Sequence, residues 1–436
     1  MKTCKHAYLC MAVLLCTTIS ACRKEAQVLP LAENPTVYTP EMVLTWNLAG
    51  TLAVRNSGSV PPIFPMIESR MYAMINVAMH DALNTIEPRY ARYALSIPVN
   101  ANANANAAVA QAAHDVIIAL IPNQKQAADS LLMLSLDTIT ADNKSAGIEI
   151  GKAAAQAMVT KRTNDGASTA QIPYVNGTKP GEYRNTPPFD MPPNQGFVAV
   201  PGWGKVLPFG LTSGSQFRAD PPYAITSKAY ADDYNEILKL GCMNSKVRTA
   251  DQTEIALFWL DNVPLSWNRI TRDMVTQHKL DAWKAARLFS LVQIAQADAN
   301  IASFDTKFEF NLWRPITAIR LGDTDGNPNT KGDPSWNVLA PPTPPVPDYT
   351  SNHSADAGAA AEVLRNYFNT DNISFSAISV RLPGVSRDFT SFTQAAEETA
   401  ASRVYVGYHF RQATLVGLAQ GRKVGQYVYD HSLPEM

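Results

Sequence analysis

The sequence predicts a mainly α-helical protein with two long ordered loops. Apolar residues recur every three to four positions along much of the chain, the pattern of helices with one buried face. Two stretches rich in proline and glycine, 171–222 and 322–349, interrupt this pattern and cannot be regular helix. The alternation of apolar and polar residues that marks strands is scarce. Together these observations favour a mainly α fold.

The N-terminus has the pattern of an export signal. Lys2 and Lys5 give it a basic start, and the apolar stretch from Leu9 to Ile19 is too short to span a bilayer. Ile19-Ser20-Ala21-Cys22 then resembles a bacterial lipobox. A buried apolar helix is the alternative, but it explains the basic start and the small residues less well. The resemblance implies cleavage before Cys22, lipidation of its thiol, and an exported protein anchored by lipid alone to a bacterial membrane, on the periplasmic side or the cell surface.

Cysteine and charge exclude several classes of protein. The signal would remove three cysteines and lipid would occupy Cys22, which leaves Cys242 alone and allows neither an intrachain disulfide nor a thiolate zinc site. Lys and Arg total 37 against 38 for Asp and Glu, so no basic field favours nucleic acid. No later stretch is apolar over the ~18 residues that a transmembrane helix needs.

Helical periodicity begins near Ile67 and the first stripe closes at Pro88. An alanine-rich helix follows and runs to about Ile121. Further helices are predicted at about 125–137, 143–161, 225–240, 248–262, 270–306, 353–368 and 390–430, the last broken at Gly407. The predicted organisation is a signal peptide (1–21), a tether (22–44), an N-terminal helical region (45–265) and a C-terminal bundle (266–436) packed with it as one unit.

Three short segments of the C-terminal third concentrate basic residues and histidines. They are Lys307-Phe-Glu-Phe-Asn-Leu-Trp-Arg314-Pro315, Pro347-Asp-Tyr-Thr-Ser351-Asn352-His353-Ser354, and Ser402-Arg403-Val-Tyr-Val-Gly407-Tyr-His409-Phe410.

The spacing within these segments suits an anion site. Lys307 and Arg314 are seven residues apart, which a continuous helix would place on one face. Thr350 or Ser351 is a good N-cap, and a helix N-terminus binds anions. A break at Gly407 would let Arg403 and His409 converge. Three fixed cations, a helix N-terminus and two histidines together suit a tetrahedral oxyanion with two or three negative charges.

The order and spacing of these segments resemble the acid phosphatase and vanadium haloperoxidase superfamily, which includes the type 2 phosphatidic acid phosphatases. The bacterial vanadium haloperoxidase-like branch is the closer match. Other segments that resemble this branch are Met71–Tyr93, Ala112–Asp115, Trp267-Asn268, Asp298–Ile319 and Gly322–Pro328. The resemblance covers most of residues 45–430 and implies an all-α fold of helical bundles, with the anion site in the C-terminal bundle.

The resemblance also implies a cofactor and the role of each residue. The cofactor would be vanadate, and phosphate can occupy the same site. The residues that would bind its oxygens are Lys307, Arg314, Ser351, Asn352 (through its backbone) and Arg403. His353 would be the acid–base, and Lys307 would also polarise the peroxide. His409 would be the axial vanadium ligand, or the nucleophile in a phosphatase.

The sequence departs from the family pattern beside the histidine. Asn352 occupies a position where the family usually has glycine, so its side chain is expected to crowd the pocket, while its backbone N–H remains available. Thr350 replaces a common proline. Two His-Asp pairs, His80-Asp81 and His114-Asp115, resemble the dyads of metal-dependent phosphohydrolases, but we favour a structural role for both, since a metal site needs more ligands.

Three functions follow from these observations, and all concern small molecules. The leading one is oxidation of halide by hydrogen peroxide at bound vanadate. The first alternative is hydrolysis of phosphomonoesters through a phosphohistidine at His409 in the same pocket. The second is a surface lipoprotein that binds a ligand without catalysis, against which the intact set of three cations argues. The sequence does not indicate an oligomeric state.

Overall fold

Thirteen α-helices and one hairpin form the regular structure of the described residues, which in this computed structural model are 38–58, 63–140 and 143–436. The helices are α1 (Glu41–Arg55), α2 (Pro65–Ile86), α3 (Ala105–Leu120), α4 (Lys125–Asp137), α5 (Lys144–Arg162), α6 (Lys228–Leu240), α7 (Ala250–Phe258), α8 (Val263–Gln277), α9 (Ala282–Phe310), α10 (Pro315–Arg320), α11 (Asn352–Phe368), α12 (Phe392–Tyr405) and α13 (Arg411–His431). Strands β1 (Phe375–Ile378) and β2 (Ser386–Phe389) pair antiparallel, with Phe375 opposite Phe389. The all-α prediction is confirmed.

The long helix α9 joins two groups of helices. On one side it packs against α2, which in turn packs against α3 and α5. On the other side it packs against α11 and α13, and α12 lies against both of these. α9 is buried along nearly its whole length, so its polar residues lie inside the protein. Residues 38–436 form one compact unit.

The helix predicted at 270–306 is in fact two helices. α8 ends at Gln277, and Lys279 adopts a left-handed conformation (φ 49°). Asp281 then caps α9 by accepting a hydrogen bond of 2.9 Å from the Lys284 backbone N–H. The change of direction sets the course of α9, which carries Lys307 in its last turn.

Four other elements differ from the sequence prediction, one of them the short helix α10, which was not predicted. α1 begins at Glu41, inside the predicted tether, and the helix predicted at 248–262 ends at Phe258. The hairpin was not predicted. The signal peptide, Cys22 and the remainder of the tether up to residue 37 lie outside the described residues.

The two proline-rich stretches contain no α-helix or strand, as predicted. Polar groups of α9 hold both of them. Asp298 accepts hydrogen bonds from the backbone N–H groups of Phe209, Gly210 and Leu211 at 2.7, 2.7 and 2.9 Å. Lys307 binds the end of the second stretch, which leads directly into α11. None of the described helices is long and apolar enough to cross a membrane.

Candidate oxyanion site

Lys307 and Arg314 approach each other because α9 ends between them. Asn311 adopts a left-handed conformation (φ 50°), and its N–H donates to the Lys307 carbonyl at 2.8 Å. The chain then turns, and Arg314 becomes the extended N-cap residue of α10, with Pro315 in the first helical position. A continuous helix would have placed both residues on one face, and the turn after α9 brings them together instead.

Both cations are fully buried and bind backbone carbonyls. The Lys307 Nζ donates to Pro347 O at 2.9 Å and to Asp348 O at 3.1 Å. The Arg314 Nε donates to Val346 O at 2.7 Å. The second proline-rich stretch is thereby fixed on both cations. The Arg314 Nη2 has no hydrogen-bond partner and is left available for a ligand.

α11 begins at the same place. Ser351 is its N-cap, and its backbone N–H donates to Ala413 O at 2.9 Å, which ties the start of α11 to α13. The Ser351 Oγ accepts a hydrogen bond of 3.0 Å from the Ser354 hydroxyl. Asn352 is 8% exposed and His353 is partly exposed, so both lie where the pocket approaches the surface. The first N–H groups of a helix have no partner within it.

Arg403 and His409 converge through the predicted break. α12 ends at Tyr405, Gly407 adopts φ 90°, and α13 begins at Arg411. Within the turn, the backbone N–H groups of Tyr408 and His409 both donate to Arg403 O, at 3.0 and 3.3 Å. The prediction of a break at Gly407 is confirmed.

His409 lies between Arg314 and a carboxylate that the sequence reasoning did not select. Its Nδ1 is 3.0 Å from Asp348 Oδ1, and its Nε2 is 2.9 Å from Arg314 Nη1. Arg314 Nη1 also lies 3.4 Å from Nδ1, so the guanidinium faces the ring rather than one lone pair, and Asp348 Oδ1 approaches Nδ1 without a well-aligned hydrogen bond. A neutral ring with its proton on Nδ1, on the side of the carboxylate, would leave Nε2 as the nitrogen that can bind a ligand or attack one.

Arg403 completes the group. Its Nη1 donates to Trp259 O at 3.1 Å, its guanidinium lies 4.9 Å from the centre of the Tyr408 ring, and its buried Nε has no partner. We use the term cationic pocket for Lys307, Arg314, Arg403 and His409 together with the N-terminus of α11. Asp348 is the carboxylate of this pocket and lies 3.8 Å from Arg314 Nη1.

Burial and mutual repulsion perturb the pKa of every ionisable group in the cationic pocket. Burial lowers the pKa of His409 well below its usual value, and Arg314 and Lys307 lower it further. The pKa of Lys307 is also lowered, by burial and then by Arg314, and burial lowers the pKa of Arg403 to about 10. Burial raises the pKa of Asp348 to about 7, although Arg314 and Lys307 oppose this shift.

His353 has a different environment at the mouth of the pocket. Part of the residue reaches solvent, yet protein atoms surround the ring, and this burial lowers its pKa well below the usual value, with a further contribution from Arg403. A hydrogen bond with the Asp261 backbone opposes the shift. The neutral imidazole is therefore able to accept a proton from a group in the pocket.

The structure thus brings Lys307, Arg314, Arg403 and the two histidines into one electrostatically coupled group, and Ser351 and Asn352 lie at the adjoining start of α11. Arg314 Nη2 and Arg403 Nε are buried donors without partners, and one carboxylate stands against three buried cations. Buried charge without a counter-ion is costly, so the pocket as built fits a multiply charged oxyanion. Phosphate and vanadate share the required shape and charge.

Two residues of the site carried no usable sequence signal. Asp348 lies within a segment selected for its serine and histidine, but its burial beside His409 depends on the course of the proline-rich stretch. Tyr183, from the first stretch, is fully buried near Arg314, and its hydroxyl has no partner. Nothing in its local sequence indicates this position.

The two His-Asp pairs make structural contacts outside the cationic pocket. Asp81 accepts backbone N–H groups of residues 93, 94 and 95 at 2.7, 2.6 and 2.9 Å, which anchors the chain after α2. His114 bridges Asp115 and Asp129 at 2.7 and 2.9 Å. Across the described residues, no group of three or more His, Cys, Asp or Glu side chains is placed to hold a metal ion.

Comparison with known proteins gives a consistent result. A family profile described as the VCPO second helical-bundle domain matches residues 287–434, the part of the chain that contains the cationic pocket. The vanadium chloroperoxidase of Curvularia inaequalis is 27% identical over an alignment of 502 positions, which covers 88% of this chain and 80% of that protein.

Solved structures extend the similarity to nearly the whole chain. A bacterial vanadium-dependent iodoperoxidase has 27% sequence identity and a TM-score of 0.78, with 93% of this chain and 99% of that chain covered. A holo-type bacterial vanadium-dependent chloroperoxidase has 18% identity and a TM-score of 0.70, over 88% of this chain and 96% of that one, and it supports the fold alone.

Proposed function

We infer that this chain belongs to the vanadium haloperoxidase superfamily and is an enzyme of it, and on that premise we propose that it oxidises halide with hydrogen peroxide at a vanadate held in the cationic pocket. The observation that carries the proposal is the excess of buried positive charge, with two guanidinium nitrogens that lack partners. A bound trianion would supply both the counter-charge and the missing acceptors.

Each residue of the pocket has a task that follows from its position. Lys307, Arg314 and Arg403 would hold the oxygens of the anion, and Ser351 and the Asn352 backbone N–H would add hydrogen bonds at the start of α11. His409 Nε2 would be the vanadium ligand. Bound vanadate supplies the centre at which peroxide is activated toward halide.

Asp348 and His353 would control the positions of protons in the pocket. Asp348 Oδ1, 3.0 Å from His409 Nδ1, would favour the proton on Nδ1 and so leave the Nε2 lone pair for the anion. His353, neutral and close to solvent, would accept a proton from incoming peroxide and return one to the product. Lys307 would direct its Nζ, a hydrogen-bond donor, at the oxygens held in the pocket.

A parallel assay tests the proposal against phosphate chemistry in the same pocket. Purified protein is loaded with vanadate and tested with chloride, bromide and iodide, and vanadate-free protein is tested with a phosphomonoester. We expect halide oxidation that depends on vanadate and peroxide. Phosphomonoester hydrolysis without halide oxidation would favour the phosphohistidine alternative. The absence of both activities would favour a lipoprotein that binds a ligand without catalysis.

Histidine variants assign the roles. His409→Ala should weaken retention of vanadate, since the three cations still attract it but the ligand is lost, whereas in a phosphatase it should abolish turnover. His353→Ala should retain vanadate but lose roughly 10²–10⁴-fold in turnover. His431→Ala is the matched control, because that histidine is exposed on α13. Unchanged vanadate affinity and turnover in His409→Ala would contradict the assignment.

We also propose that the protein is exported and lipid-anchored through Cys22, on the evidence of the lipobox-like sequence. Cys22→Ser should release the protein from membranes, as measured by fractionation. A variant that still sediments with membranes would contradict the anchor.

A further inference from the structure

Buried polar atoms without partners are concentrated where α2, α8, α9 and α11 pack together. The six fully buried side chains that carry them, which we term the polar chamber, are Trp267, Asn268, Gln293, Gln296, Asn300 and Asp356. Nine nitrogen and oxygen atoms of these side chains have no hydrogen bond. Buried polar atoms in folded proteins nearly always have partners, so this group requires an explanation.

The helices bring these side chains to one region. Gln293, Gln296 and Asn300 follow each other at spacings of three and four on α9, so they share one face. The Asn300 Nδ2 donates to Ser69 Oγ of α2 at 3.2 Å, and its amide lies beside the Asp356 carboxyl of α11 without a well-aligned hydrogen bond to it. Trp267 and Asn268 belong to α8, which contacts α9 and α11.

The unpartnered atoms indicate water rather than a metal ion. They are four nitrogens that donate and five oxygens that accept, counting both oxygens of Asp356. A cation would bind the oxygens and leave every nitrogen unpaired. Water both donates and accepts, and it is the usual partner of polar groups in closed cavities.

Asp356 has no cation beside it to favour its charged form. The charged or titratable groups around this region are Glu68 and Tyr72 on α2, Asp261 before α8, Arg269, Arg272 and Asp273 on α8, and His353 on α11. Arg272 Nη1 contacts the Asn268 Oδ1 at 3.4 Å. Burial raises the pKa of Asp356 well above its usual value, and the Glu68 charge raises it further. Both effects favour the protonated form of the Asp356 carboxyl, which can donate a hydrogen bond to water.

The polar chamber lies one helical turn from the active site. Asp356 follows His353 by three residues on α11, so both lie on the same side of the helix. From the other side, the Asp261 backbone contacts His353, and the adjacent Asn262 donates to Glu68 at 2.6 Å. Halide oxidation by peroxide gives hypohalous acid and water and consumes one proton per turnover. A route that delivers protons to His353 would therefore support turnover.

We propose that the polar chamber holds ordered water and that Asp356, with this water, forms an internal proton store that recharges His353, an inference that rests on the proposed function. His353 is partly exposed and can also take protons from buffer acids. The store therefore matters when those acids are scarce, at alkaline pH and low buffer concentration. Asp356 is a positioning residue in this scheme, since it acts through His353.

The first test does not depend on turnover. A crystal structure should show ordered water at about 2.7–3.2 Å from Asp356 and from the chamber amides. Infrared spectra should show the C=O stretch of a protonated carboxyl group that disappears in Asp356→Asn. Amides paired directly with one another, a cation in the chamber, or the absence of the carboxyl band would each overturn the proposal.

The second test measures pH profiles of halide oxidation. Asp356→Asn should slow turnover about tenfold at alkaline pH in dilute buffer, less than the loss of His353 itself, and concentrated imidazole buffer should restore the rate. Glu362→Gln is the matched control, a buried carboxylate two turns further along α11 that pairs with Arg365. A loss that is equal at every pH and insensitive to buffer would show a structural role and refute the store. If the wild type oxidises no halide, the proposed function fails, while the crystal and infrared results still decide the state of the chamber.

Discussion

Gly407 is the residue on which the convergence of Arg403 and His409 depends, and Gly407→Ala tests it. The glycine adopts φ 90°, a conformation that costs an alanine about 1–2 kcal/mol. A Cβ at this position would also lie 2.5 Å from the Gly241 carbonyl oxygen and 3.1 Å from the Trp336 ring. These are backbone and large aromatic atoms, so they cannot move aside cheaply, and relieving the overlap adds about 1–3 kcal/mol.

The expected loss in the free energy of unfolding is therefore about 2–5 kcal/mol for Gly407→Ala. Gly384→Ala is the matched control, because Gly384 has φ 84° but nothing within 4 Å of its Cβ position. That variant should lose only the about 1–2 kcal/mol of backbone strain. Urea unfolding of the two variants beside the wild type gives the comparison.

The same substitution should also disturb the pocket. If the turn shifts to relieve the overlap, His409 moves relative to Arg403, and vanadate affinity falls in Gly407→Ala but not in Gly384→Ala. Equal destabilisation of the two variants, or normal vanadate affinity in Gly407→Ala, would refute the argument that close packing of this turn sets the pocket.

Three further predictions concern charge, anchoring and access. Sulfate, a dianion throughout the neutral range, should bind more weakly as pH rises through about 7, because Asp348 then ionises beside it. In calorimetric titrations, Asp348→Asn should remove most of this dependence of sulfate affinity on pH. Asp81→Ala should lower the free energy of unfolding by about 3 kcal/mol, measured in urea, since three backbone N–H groups lose their acceptor. Asp115→Ala removes a partly exposed ion pair and should lower it by less than about 1 kcal/mol. Similar losses in the two variants would contradict the anchoring role of Asp81. Asn352→Gly should lower the free energy of unfolding by about 0.5–1 kcal/mol, because glycine is placed at the start of α11. It should also speed the uptake of vanadate, measured by stopped flow. An unchanged rate would show that the Asn352 side chain does not crowd the pocket.

The helices that a sequence predicts well are those whose buried face is apolar. α2 and α11 were predicted to within two residues at each end because their periodicity is clear and Pro88 or a serine cap bounds them. α1 was missed because its buried face includes Asn47, Gly50 and Thr51, which hide the apolar stripe. The hairpin has strands of only four residues, too short for alternation to stand out.

Site residues were predictable from the sequence where the residue type itself indicates the chemistry. They were not predictable where their position depends on the course of the folded chain. Lys307, Arg403 and His409 carry functional groups that are recognisable in a linear sequence. The turn after α9 that brings Arg314 to Lys307 depends on a left-handed Asn311, which a helical pattern does not reveal. Asp348 depends on burial, and burial of a carboxylate is decided by packing between distant segments.

The excess of positive charge in the cationic pocket makes this protein's stability depend on its ionic surroundings. Any tetrahedral anion that binds the folded chain but not the unfolded one stabilises it, by about 2.7 kcal/mol at a free concentration of 100 Kd. Phosphate in the medium would therefore protect the protein before vanadate arrives, and vanadate would then have to displace a competitor rather than fill an unliganded site. Apparent affinities measured in phosphate buffer thus report an exchange of anions, and melting temperatures are comparable only between samples with the same anion content.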